Sequence, residues 1–198
     1  MAKLYFYYSA MNAGKSTILL QASYNYQERG METLLFSPEI DTRYKTKTIC
    51  SRIGLEAVSH SFTPKKNLFN VVKNKLRKTT NLKCVLIDEA QFLTKVQVLQ
   101  LTEIVDKLNV PVLTYGLRSD FRGEAFEGSL YLLVLADKIS EIKTICHCGR
   151  KAIMNMRINA KHRKVMKGAQ IEIGGNERYV AVCRKHFNLG ETGLLQPK

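Results

Sequence analysis

Four short clusters in this 198-residue chain combine residue types and spacings that can do chemistry. The first lies in "YYSAMNAGKSTILL", residues 7–20, where Ser9 is followed at fixed spacing by Gly14, Lys15 and Ser16. The pattern is the phosphate-binding loop G-x-x-x-x-G-K-[ST] with serine in place of the first glycine. A loop between a strand and a helix N-terminus aims several backbone N–H groups at one point, and the helix dipole adds partial positive charge there. Lys15 can reach β and γ phosphates, and the Ser16 hydroxyl can ligate Mg²⁺. Position 9 demands glycine only if its backbone must take a positive φ or pass very close to the ligand. Ser9 therefore weakens the match without breaking it.

The second cluster closes the apolar run "KCVLIDE", 83–89. Asp88 at the end of a buried strand is placed to hold Mg²⁺, directly or through water. Glu89 beside it can take a proton from an attacking nucleophile. Water as that nucleophile gives an ATPase; a substrate hydroxyl gives a kinase. The first two clusters together indicate a nucleoside triphosphate and Mg²⁺, and leave the acceptor open.

The third and fourth clusters are Cys146-x-Cys148 and Cys183-x-x-His186. Tetrahedral Zn²⁺ takes four N or S ligands, commonly from two short pairs on separate turns. Cys-x-Cys is tighter than the usual pair, and His147 could compete with one of its cysteines. Four protein ligands close the coordination sphere, so the expected role is structural. Five cysteines, an odd number, argue against a disulfide framework in an intracellular chain. Cys50 and Cys84 read as core residues.

These clusters need elements to hold them. "KLYFYY" (3–8) reads as a buried strand entering the loop, followed by a helix from about 15 to 29 that ends at Gly30. Strands are expected at 33–37, 83–89 and 110–116, and helices at 67–78 and 94–109, the latter with Val98, Leu101, Val105 and Leu108 on one face. Apolar strands alternating with helices imply a mostly parallel sheet covered on both sides, the P-loop type of α/β fold. From about residue 143 the texture changes. The pieces "AIMNMRI", "QIEIG" and "RYVAV" predict a small zinc-stapled β lobe between the two ligand pairs. The expected division is an α/β nucleotide-binding domain over 1–142, the lobe with a substrate-closing loop over 143–190, and a flexible tail over 191–198.

Composition narrows the partners. A hydrophobic content of 45% can fill a core, and no run approaches membrane-spanning length. The first residues carry no signal-peptide pattern, so a cytoplasmic location is expected. The formal charge of +14 suits either nucleic acid or polyanionic nucleotides. Its lysines and arginines are scattered, with only short runs at 73–78 and 161–164, so no specific nucleic acid is expected. Neither internal repeats nor further helicase-like motifs accompany the loop, which counts against a motor.

Several stretches together resemble the zinc-containing thymidine kinase family, its bacterial members in particular. They are "YFYYSAMNAGKST" (5–17), "SYNYQERG" (23–30), "DTRY" (41–44), "SRIG" (51–54), "DEAQFL" (88–93), "YGLRSDFRGEAFEGS" (115–129), "CHCGRKA" (146–152) and "IGGNERYVAVCRKH" (173–186). They extend over nearly the whole chain apart from the tail. Cys146-x-Cys148 departs from the Cys-x-x-Cys that related enzymes often use. The resemblance implies transfer of the ATP γ-phosphate to the 5′-hydroxyl of thymidine, giving dTMP for DNA synthesis, with Glu89 as the base. It implies ATP and Mg²⁺ contacts from Ser9, Ala10, Met11, Asn12, Ala13, Gly14, Lys15 and Ser16. Asp88, Glu89, Ala90, Gln91 and Arg43 join them. Thymidine would lie against Met11, Phe92, Leu117, Phe121, Phe126 and Tyr179, with Gly174 in a closing loop. The family also implies a homotetramer and feedback inhibition by dTTP.

Overall fold

The computed structural model describes residues 1–41, 47–172 and 177–194. Arg43 and Gly174, both expected at the site, lie outside these residues. Strand β1 (Leu4–Ser9) leads through the glycine-containing loop into helix α1 (Lys15–Gln27). Gly14 at the start of α1 has φ 80°, a left-handed conformation that glycine adopts without a Cβ penalty. Gly30 follows the helix with φ 69°. Next come β2 (Glu32–Pro38), a hairpin of β3 (Thr48–Cys50) and β4 (Glu56–Val58), and β5 (His60–Phe62).

Helix α2 (Leu68–Leu76) starts at Asn67, whose side chain accepts the Asn70 N–H. Strand β6 (Leu82–Ile87) leads directly into Asp88. Helix α3 (Lys95–Leu108) begins with a reciprocal cap, the Thr94 hydroxyl accepting the Gln97 N–H while the Gln97 side chain accepts the Thr94 N–H. Strand β7 (Val112–Leu117), helix α4 (Glu127–Leu135) and β8 (Lys138–Glu141) complete the body. The six strands β5-β2-β6-β7-β1-β8 form one sheet in which every pairing is parallel.

Strand alternation decides what each face buries. From β6, Val85 and Ile87 point into a cluster with Leu101 and Ile104 of α3, Leu68 and Val72 of α2 and Leu132 of α4. Cys84 and Leu86 point the other way, against Leu19 and Leu20 of α1 and Tyr115 of β7. A strand buried on both faces reads as a continuous apolar run, which is why "CVLI" shows no alternation in the sequence.

The remaining chain forms two short antiparallel ladders. Strand β9 (Thr144–Ile145) pairs with β10 (Lys151–Ala152), and β11 (Met154–Arg157) with β12 (Tyr179–Val182). Helix α5 (Arg184–Leu189) packs Phe187 on Met156, Ile158 and Val182. "AIMNMRI" is thus split between two ladders. Residues 170–172 of "QIEIG" do not form the expected strand; the Gln170 side chain donates to Asp120 of the body, the Glu172 carboxylate pairs with Arg157 of β11, and the Glu172 carbonyl accepts from the Tyr179 hydroxyl of β12. The α4 helix and the β3–β4 hairpin are additions to the elements expected from the sequence. No helix among the described residues is long and apolar enough to cross a membrane.

Candidate active site

The adjacent strands β6, β7 and β1 end on the same edge of the sheet, and Leu117 of β7 together with the residues that follow β6 and β1 opens onto one cavity of about 300 Å³. That edge is where ligands bind in open α/β sheets. At one end lies the phosphate loop. Lys15 is nearly buried, and its Nζ donates to Ser9 Oγ at 3.1 Å and to the Ala10 carbonyl at 3.2 Å. Ser9 Oγ in turn donates to the Ala10 carbonyl at 2.7 Å. Among the described residues of this loop, positive φ falls on Asn12 and Gly14, so the backbone conformation at position 9 does not require glycine. Serine there supplies a hydroxyl that holds the lysine. Ala10 is buried beneath the loop, and Met11, Asn12, Gly14, Lys15 and Ser16 line the cavity, with Ala13 half-buried beside them.

Across from the loop, Ser16 Oγ donates to Asp88 Oδ2 at 2.9 Å. Burial raises the Asp88 carboxyl above the ordinary carboxylate range, the Glu89 charge pushes the same way, and the Ser16 hydroxyl opposes them. A divalent cation here would offset the cost of ionising a buried acid. A hydroxyl and a carboxylate beside a phosphate loop are the oxygen donors Mg²⁺ takes, so the residues fit it.

Glu89 sits in the left-handed region at φ 49°, ψ 44°, a conformation that costs a residue with a Cβ roughly 1 kcal/mol. The turn from Asp88 through this residue starts the short 3-10 turn Ala90–Phe92. Gln91 clamps it: its Nε2 donates to Glu89 Oε2 at 2.6 Å and its Oε1 accepts the Leu117 N–H at 2.9 Å. Ala90 is fully buried in the core, off the cavity. Gly128 of α4 permits this packing, since a Cβ there would stand 2.6 Å from the Ala90 carbonyl oxygen and 2.7 Å from that of Leu93.

Met11 from the phosphate loop, together with Phe92, Leu117, Phe121, Phe126 and Tyr179, lines the same cavity. Phe92 and Phe126 meet edge to face with centroids 6.0 Å apart. Flat apolar walls with a few polar groups suit a planar heterocycle. A family model described as thymidine kinase matches residues 2–187. The chain is 61% identical over 198 residues to a thymidine kinase of Legionella pneumophila (strain Paris), covering all of this chain and 95% of that protein. It is 59% identical over 191 residues to a thymidine kinase of Coxiella burnetii, covering 96% and 97% of the two. A thymidine kinase of Zymomonas mobilis is 58% identical over 187 residues, covering 94% and 96%.

The chain belongs to the thymidine kinase family.

In this thymidine kinase family member, no motif in the sequence marks the polar residues Asp120 and Asn155, which line the cavity, or Arg157, which backs its aromatic wall. Arg157 of β11 is 3% exposed. Its guanidinium lies 3.7 Å from the Phe121 ring centroid, donates to the Tyr179 hydroxyl from Nη2 at 2.8 Å, and pairs with Glu172 at 3.3 Å. The Tyr179 hydroxyl donates to the Glu172 carbonyl at 2.9 Å. Asp120, also buried, accepts the N–H groups of Arg122 and Glu124 and the Gln170 side chain. Asn155 reaches Met11 and Ser119. The cue in the sequence is "MNMR", where polar residues at 155 and 157 alternate with methionines inside a strand.

The Cys146, Cys148, Cys183 and His186 ligand atoms lie within 4.8 Å of one another. His186 Nδ1 stands 3.3 Å from Cys146 Sγ and 3.6 Å from Cys183 Sγ. Three sulfurs and one imidazole nitrogen make a donor set that fits a tetrahedral soft-metal site. The His186 backbone N–H lowers the Cys183 thiol, while burial raises that of Cys146. His147 stacks on His186 with centroids 4.3 Å apart and belongs to a second group with His186 and Glu191. Since His186 turns Nδ1 toward the sulfurs, its Nε2 is left for Glu191 at 3.3 Å. A carboxylate on the far nitrogen is the usual support of a metal-bound histidine.

Proposed function

We propose that the chain binds ATP with Mg²⁺ at the phosphate loop and thymidine between the aromatic walls. It transfers the γ-phosphate to the thymidine 5′-hydroxyl, giving dTMP and ADP in nucleotide salvage for DNA synthesis. One observation carries the proposal: Lys15, Ser16, Asp88 and Glu89 share a continuous cavity with Met11, Phe92, Leu117, Phe121, Phe126 and Tyr179. Phosphate chemistry and a heterocycle-sized slot are joined by a carboxylate between them.

Phosphoryl transfer depends on positioning and charge neutralisation. Lys15 would hold the β and γ phosphates, with backbone N–H groups of 9–16 around them and Arg43 adding charge. Ser16 and Asp88 would hold Mg²⁺, which would supply charge neutralisation for the triphosphate. Glu89 would accept the 5′-hydroxyl proton, its carboxylate oriented by Gln91. Gly174 would let backbone of the closing loop approach the base. Zn²⁺, held by Cys146, Cys148, Cys183 and His186, would cross-link the lobe 143–190 and leave the domain 1–142 to carry the triphosphate. Within the expected tail, Glu191 reaches back to His186 of the lobe.

A cavity shared by triphosphate and base also gives dTTP the chemistry of an inhibitor. The exposed apolar side chains Val96, Leu99, Leu130 and Val134 on α3 and α4 offer a face for other copies, in keeping with a homotetramer. A cytoplasmic enzyme fits this chemistry. The test is ADP release with and without thymidine: ADP and dTMP should form one for one, each requiring the nucleoside. Phosphate release that ignores thymidine would favour an ATPase, with Glu89 activating water.

A further inference from the structure

Asn155 lies on β11 in the Cys/His lobe, 3% exposed, yet its side chain bonds to two loops of the α/β body. Oδ1 accepts the backbone N–H of Met11 in the phosphate loop at 2.7 Å. Nδ2 donates to the backbone carbonyl of Ser119, just beyond β7, at 3.2 Å. The amide spends each end on main chain of the kind it requires, which fixes its orientation. The next residue, Met156, points into the lobe core, and Arg157 holds Phe121, Tyr179 and Glu172. One strand therefore grips the phosphate loop with one inward side chain and the nucleoside walls with the other.

We infer that Asn155 is a positioning residue that sets the phosphate loop at a fixed distance from the nucleoside walls, and so aligns the γ-phosphate with the acceptor hydroxyl. The inference rests on the kinase proposal. In-line transfer needs reacting atoms about 3–3.5 Å apart, and a displacement of about 1 Å can cost about a hundredfold in rate. Each substrate touches mainly one side of this clasp. Asn155 lines the cavity itself, but both ends of its amide are spent on main chain, so loosening it chiefly spoils the alignment of the two sides and the loss falls on kcat rather than on either KM.

The experiment compares Asn155→Leu, near in volume but without hydrogen-bonding ends, and Asn155→Asp, which keeps the acceptor for Met11 and loses the donor to Ser119. Steady-state kinetics are measured with thymidine and ATP, with zinc content and melting temperature as controls. Asn155→Leu should keep its zinc, hold both KM values within about threefold and lose about 10- to 100-fold in kcat. Asn155→Asp should fall between it and wild type. If Asn155→Leu does not fold, Asn155→Asp alone decides: a kcat at least about threefold below wild type at unchanged KM supports the clasp. Wild-type kcat in a folded variant overturns it. A loss that merely tracks the fraction of folded protein assigns Asn155 a structural role and overturns it too. Failure of the wild-type protein to phosphorylate thymidine would instead remove the kinase proposal.

Discussion

The α/β body and the Cys/His lobe contribute to one cavity but are held in shape by different forces. In the body, the chemical groups stand at the ends of β1, β6 and β7, between two apolar clusters that bury both faces of a parallel sheet. Asp88 and Lys15 are therefore backed by dozens of packed side chains. The lobe has ladders of two to four pairs and a core of Cys146, Ala152, Met156, Ile158, Val182, Cys183 and Phe187, two of them candidate ligands. Two-stranded ladders with so small a core are marginal in water, and units of this size usually need a metal or other cross-link. The difference matches the work of each part. A triphosphate needs fixed charges, whereas a nucleoside must enter a slot whose wall can be ordered by a local staple.

Stripping the metal would break this comparison most visibly. Chelation, or Cys183→Ser, should unfold the lobe and reduce thymidine phosphorylation to background. ATP-analogue binding at Lys15 should stay within about threefold, because the body's core is untouched. Zinc analysis with calorimetric unfolding reads the first effect, fluorescent nucleotide titration the second. Full activity in metal-free protein would mean that the lobe folds on its apolar core alone.

Glu89→Gln tests the body without touching the lobe. The amide keeps the size and a donor–acceptor pair for Gln91 but cannot take a proton. We expect kcat to fall about 10²- to 10⁴-fold with ATP binding and melting temperature unchanged. Near-normal turnover would place the base elsewhere in the cavity.

The smallest effect sharpens the account of the phosphate loop. Ser9→Gly restores the motif glycine but removes the hydroxyl that accepts from Lys15. Lys15 keeps the Ala10 carbonyl, so the ATP KM should rise only about two- to tenfold, the worth of one partly buried hydrogen bond. An unchanged KM would show the Ser9 hydroxyl to be a spectator.

What the sequence by itself determined is local. The loop Ser9–Ser16, the acids after β6, the ligand pairs 146/148 and 183/186, and the α/β alternation follow from short spacings and hydrophobic period, set by backbone sterics within a few residues. The resemblance to thymidine kinases then named the acceptor and the aromatic walls, which the structure gathers around one cavity. Tertiary structure decided the rest. Glu191 reaches His186 because the chain reverses at Gly190, whose φ is 75°. Glu89 takes a left-handed backbone because Gln91 and the close packing of Gly128 hold the turn after β6. Asn155 meets Met11 across 144 residues of chain, and no periodicity encodes that meeting. Spacing and period report on neighbours in the chain; hydrogen bonds between distant loops exist only after the sheet and the lobe have packed.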